Sequence, residues 1–191
     1  LTIPFVNLFF NSIFNFSSSD FSIMGSGTAV LVFFSSLMVP TLKHKYGYWM
    51  TIVFVQGLSI CCLITLAITE LFATSHYAIY FAVSAFILRQ PLMHMAHPSS
   101  NELMMNYVGE RNQELISALS SSLWSASWFI SAKIFEWLRL LKFHYYEIFL
   151  ITAVLYIFGV ILYAVIIRQF EKMKKMEKDN VITLSEELKI D

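Results

Sequence analysis

Charge is what this sequence has least of: 14% of its 191 residues are Asp, Glu, Lys or Arg, against roughly 25% in an ordinary soluble domain. A water-facing surface is hard to build from so few ions, and 57% of the residues are hydrophobic, with a mean hydropathy of +0.64. Nor is there an excess of either sign. Thirteen Lys plus Arg balance thirteen Asp plus Glu, so no basic face is available to neutralise phosphates and nucleic-acid binding is disfavoured. Cysteine is nearly absent. Cys61 and Cys62 are neighbours inside an apolar run, a place for small buried side chains rather than for a disulfide or a thiolate metal site. The start lacks a Met and the basic region and cleavage site of a signal peptide, opening instead on Leu1-Thr2-Ile3-Pro4. This leads us to expect a chain cut from a longer one.

What is present is a series of uncharged runs: Phe21 to Leu42, Tyr46 to Thr69, Leu71 to Leu88, Leu115 to Ala132 and Ile148 to Ile167. Each is as long as the roughly 20 apolar residues a helix needs to cross a ~30 Å hydrocarbon core. With a sixth, truncated segment at the start, the pattern predicts an all-α integral membrane bundle over 1–168. Its helices fall near 1–16, 21–42, 48–69, 76–107, 112–138 and 146–168, and a cytoplasmic tail follows over 169–191. Polar breaks fall at Ser17 to Asp20, Lys43 to Lys45, Thr74 to His76, Gly109 to Arg111 and Lys142 to His144.

Alternating crossings put Lys43, Lys45, Arg111, Arg168, Lys172, Lys174, Lys175 and Lys178 on one side and leave Arg139 and Lys142 on the other. That asymmetry predicts a multi-pass protein of the cell membrane with its carboxyl terminus in the cytoplasm. Trp49 and Trp137 fall at helix ends, where indoles anchor at the headgroups, whereas Trp124 and Trp128 lie mid-helix and read as packing or lipid contact. The basic tail invites attraction to anionic headgroups.

The fourth segment breaks the membrane pattern. It carries Arg89, Gln90, Pro91, His94, His97, Pro98 and Asn101 at depths where an ionisable group is costly unless it faces protein or water. At 100° per residue Gln90, His94, His97 and Asn101 form one polar stripe, with Arg89 about 100° from Gln90. The stripe points to a cavity, with the prolines expected to kink or loosen the helix. Arg89 either lines that cavity or pairs within a packed interface. The two imidazoles suit proton carriage. His94, His97 and Glu102 also invite a metal reading, but the His-Glu-x-x-His spacing is absent. The first segment repeats Asn7, Asn11 and Asn15 at intervals of four, either to bind a polar solute or to join helices. Ser22 and Ser26, with Gly25 and Gly27, and then Ser117, Ser121 and Ser125 allow close helix packing. Lys133 and Glu136 form a neutralising pair or, alternatively, a coupling site.

Several stretches resemble the carboxyl-terminal half of a major facilitator superfamily transporter. Arg89-x-x-Leu92-Met93-x-Met95-x-x-Pro98, then Val108-Gly109-Glu110-Arg111 and the span with Ser117-Ala118 and Trp124, are similar to the tenth and eleventh helices of bacterial members. Ile3-Pro4-Phe5-Val6-Asn7 resembles the seventh helix, and Leu42 to Tyr48 the loop between the eighth and ninth. That loop departs from the family in having Lys43 and His44 where an acid often precedes the base. The resemblance implies inverted three-helix repeats, a first and fourth helix lining a central cavity, and transport by rocking against a missing amino-terminal half. The expectation is thus a non-enzymatic secondary carrier, without a cofactor or metal, for a small polar or anionic solute, with proton coupling open. Arg89, Gln90, His94, His97 and Asn101 would face Asn7 and Asn11. The alternatives are an intramembrane metal enzyme using His94, His97 and Glu102, or a membrane scaffold or receptor without transport.

Overall fold

A computed structural model of the chain describes residues 3–75, 77–108 and 112–187. His76, Gly109 to Arg111, the first two residues, the last four and the side chains of Ile3, Pro4, Trp124, Glu177, Lys178, Asn180 and residues 181–187 lie outside the described set, and so do the expectations placed on them. The described residues are all-helical, without strands: α1 (Ile3–Phe14), α2 (Ser18–Tyr48), a π-helical turn (Trp49–Phe54), α3 (Val55–Leu71), α4 (Ala78–Val108), α5 (Gln113–Leu140) and α6 (Tyr145–Glu187).

Local chemistry sets the helix ends. Asn15 takes a positive φ of 55°, which ends α1 in the left-handed conformation that Asn tolerates. The Asn11 amide then donates to the Phe16 carbonyl across the turn at 2.9 Å. Ser17 and Asp20 form a capping box that starts α2: the Asp20 N–H donates to Ser17 Oγ at 3.2 Å and the Ser17 N–H to the Asp20 carboxylate at 3.1 Å. The polar break expected at Lys43 to Lys45 is helical instead. The chain turns at Gly47 (φ 73°, ψ −174°), a conformation essentially reserved for glycine, and re-enters the helix through the π turn. α5 ends at Lys142 (φ 63°), where the Arg139 guanidinium donates to the Phe143 carbonyl at 3.0 Å and lies over the Tyr145 ring.

Successive helices run in opposite directions, so ends distant in sequence meet. At one end, here the aromatic end, Phe9 packs edge-on against Phe10, Tyr145 and Phe149, Phe10 meets Phe86, and Phe5 stacks on Phe135 at 3.6 Å. Glu70, closing α3, accepts the Tyr146 N–H at the start of α6. Burial raises the Glu70 pKa, against the opposing pull of that N–H. At the other end Lys43 of α2 pairs with Glu102 of α4, the Tyr48 hydroxyl meets Glu102 at 3.2 Å and Asn106 at 3.0 Å, and Arg168 lies over Trp49. This is the basic end. Arg139 and Lys142 close the aromatic one. α4 packs along α2 and α3, and α3 packs on α6. α5 stands further out, burying Ser131, Phe135 and Leu138 and exposing Leu119, Leu123 and Phe129.

Two helical stretches, Ser18–Leu71 and Tyr145–Met176, are long and apolar enough to cross a membrane. α4 and α5 match them in length but not in hydropathy, because Arg89, the histidines and the prolines dilute α4 and the serines with Lys133 and Glu136 dilute α5. The helix expected to stop at 168 runs on to Glu187, 43 residues in all. Loss of apolar character there does not end the helix.

Candidate functional site

α4 keeps its helical backbone through Pro91 and Pro98, so the expected loosening is not seen. Its polar residues divide between two faces. Arg89 is 1% exposed and Gln90 is buried, whereas His94, His97 and Asn101 are exposed. The Asn101 amide lies 3.2 Å from His97 Nδ1, one turn away on the same face. Asn7 and Asn11 are exposed on α1. The sequence stripe is therefore continuous only over its lower part, from His94 to Asn101, with Gln90 turned inward above it.

Arg89 points elsewhere. It lines a cavity of about 60 Å³ between α3, α4 and α6, together with Gln56 and Ser59 of α3, Met93 one turn on, and Tyr156 and Val160 of α6. The Tyr156 hydroxyl bonds to the guanidinium. Asn7 and Asn11 do not line this cavity. Gln56, Ser59 and Tyr156 went unnoticed in the sequence because each is a single polar group in a long apolar run. The available signal was Gln56, the one amide between Tyr46 and Thr69, with Ser59 one turn further along the same face.

The alternative centre of His94, His97 and Glu102 is not assembled. Glu102 lies two turns beyond His94, where its carboxylate holds Lys43 and the Tyr48 hydroxyl. Among the described residues no three of His, Cys, Asp and Glu converge. The ion pair raises the Lys43 pKa above its ordinary value, chiefly through the hydrogen bond to Glu102. Lys133 and Glu136 do pair, at 2.8 Å, with both side chains exposed. Between the amino-terminal part of α5 and the end of α4 runs an open groove lined by Met105, Gln113, Glu114, Ser117 and Ser121.

Fold and site together define an all-helical protein with two helical stretches of membrane-crossing length and apolarity, and with a partly polar fourth helix set against them. No protein family, curated protein or solved structure matches the chain.

Proposed function

We propose that the chain is one half of a membrane carrier of major facilitator type, moving a small polar or anionic solute by alternating access against a second half. In this reading all six helices are inserted in the cell membrane, with the basic end and α6's extension on the cytoplasmic side. The observation that carries it is the division of α4: His94, His97 and Asn101 lie open on one face while the opposite face is buried against the bundle. An open face of imidazoles and amides suits a wet crevice and not lipid. Support for insertion comes from the surface, where Val30, Phe33, Phe34 and Leu37 of α2 and Phe158, Ile161 and Leu162 of α6 are exposed. An apolar surface of that extent is costly in water and natural in a bilayer. The gathering of Lys43, Lys45 and Arg168 at one end fits an inner leaflet.

In this mechanism His97 and Asn101 hold the solute by hydrogen bonds and His94 one turn above adds a second imidazole, whereas Asn7 and Asn11 lie toward the aromatic end, beside the Phe10–Phe86 contact, and do not share this contact. Arg89 and Gln90 sit behind that face and support it. The test is uptake into proteoliposomes containing the full-length protein, run with pools of labelled organic acids, amino acids and sugars. Accumulation of one class, cut at least tenfold by His97→Ala or Asn101→Ala with reconstitution unchanged, is expected. Accumulation indifferent to both substitutions would remove this face from the mechanism.

A further inference from the structure

The outward face of α6 changes character along its length without changing direction. Phe158, Ile161, Val165, Arg168, Lys172 and Lys175 follow one another at intervals of three or four residues, which places them within roughly 100° of arc on one side of the helix. All six are exposed. The first three are apolar and the last three cationic. Packing on the opposite side fixes this rotation: Ile167 is fully buried with Ile52 and Leu103, and Phe170 meets the Tyr48 ring edge-on at 6.1 Å.

Arg168 stands at the junction. Its guanidinium lies over the Trp49 ring, 5.5 Å from the centroid, and Trp49 is itself exposed. An indole beside a cation, at the end of an apolar stretch, suits the headgroup level of a bilayer. Among the described residues Arg168, Lys172 and Lys175 form no ion pair, whereas Lys43 at the same end has Glu102. Glu171 is the one acid between Arg168 and Met176, and Asp179 closes the cationic stretch a turn beyond Lys175. Three uncompensated cations in a row attract anions, and the stripe leading up to them selects the kind. A water-soluble anion would use the cations alone, but an anionic amphiphile would use both halves of the face. The ten residues from Phe158 to Arg168 rise about 15 Å, half of a ~30 Å hydrocarbon core and so the depth of one leaflet.

We propose that this face of α6 seats an anionic phospholipid of the cytoplasmic leaflet. Arg168 and Lys172 hold its headgroup phosphate, Lys175 adds its charge from one turn beyond, and an acyl chain lies along Val165, Ile161 and Phe158. The site rests on the insertion reading given above and not on the solute or on the His94, His97 and Asn101 face.

The test is photo-crosslinking of the full-length protein in phosphatidylcholine liposomes that contain a trace of phosphatidylglycerol carrying a diazirine at mid-chain, with adducts mapped by mass spectrometry. Adducts are expected within 158–165. Unlabelled phosphatidylglycerol should compete at least tenfold better than added phosphatidylcholine, and water-soluble glycerophosphoglycerol should not compete. Arg168→Gln and Lys172→Gln each lower the yield about fivefold, the worth of one cation near an anionic surface. Lys142→Asn, which removes a cation at the aromatic end and keeps a residue that tolerates positive φ, leaves it unchanged. Equal labelling by a phosphatidylcholine analogue, a yield indifferent to both α6 substitutions, or competition by glycerophosphoglycerol would overturn the proposal. Alkaline carbonate extraction separates the two failures: a chain released from the liposomes overturns insertion and this site together, whereas a chain that stays without lipid preference overturns this site alone.

Discussion

Glu70 shows how much one side chain does at a helix junction. Its carboxylate closes α3 and accepts the Tyr146 N–H in the first turn of α6, while burial disfavours its charge. Glu70→Gln keeps an acceptor and removes the charge, so it should be neutral or stabilising at pH 7. Glu70→Ala removes the acceptor and should cost about 1 kcal/mol in denaturant unfolding of the detergent-solubilised protein, the scale of a lost helix cap. Asp20 works in the other direction. Its hydrogen bonds from Ser17 lower its pKa, so the stability it lends is present above the ordinary carboxylate value and lost as pH falls through the folded one. Acid should therefore fray the start of α2 below about pH 4, and Asp20→Asn should erase that dependence in hydrogen exchange of residues 18–24. The neighbours of Arg89 were the least readable feature at this scale. One arginine announced itself in an apolar run, but Gln56, Ser59 and Tyr156 are brought to it by the register of three helices, which no local pattern encodes.

At the scale of elements, the six helices were legible because apolar runs and polar breaks alternate at bilayer length. α4 at Ala78–Val108 and α5 at Gln113–Leu140 lie within two residues of the expected bounds. The misplacements have physical reasons. Lys43, His44 and Lys45 read as a loop because they are charged or polar, yet all three tolerate a helix well. The turn falls at Gly47, the residue able to take φ 73° with ψ −174°. A Cβ at Gly47 meets nothing within 4 Å, so Gly47→Ala tests backbone strain alone. It should destabilise by about 1–3 kcal/mol in the same unfolding assay, while Gly57→Ala, in open space within α3, should not. α6 outran its expected end because hydropathy reports the solvent around a helix and not its hydrogen bonding. Glu171, Lys172, Lys174 and Lys175 are good helix formers in water. Met173→Pro should therefore abolish amide protection over the following turn while the bundle's melting temperature stays within a few degrees.

For the whole molecule, alternation of direction is the organising fact. Lys43 with Glu102 and Tyr48 with Asn106 tie one end, and the Phe9, Phe10 and Phe86 cluster with Glu70 and Tyr146 ties the other. The Lys43 pair is part-exposed, so it should contribute less than about 1 kcal/mol and fade in high salt. Its raised lysine pKa means that contribution is complete below the ordinary lysine value and lost only as pH rises through the higher, folded one. The charge asymmetry between the ends was visible in the sequence. The split of α4 was half visible: periodicity grouped Gln90 with His94, His97 and Asn101, whereas Gln90 is turned inward, because its rotation about the helix is set by how α4 seats on α2 and α3. Whether the open part of that face meets water decides the carrier reading. The most direct measurement is aqueous labelling of single cysteines at 94, 97 and 101, introduced after replacing Cys61 and Cys62 with Ser in the full-length protein in liposomes. The account predicts that all three react with a membrane-impermeant thiosulfonate in at least one state, while cysteines at 34 and 158 stay silent. Positions 94, 97 and 101 sealed in every state would contradict it.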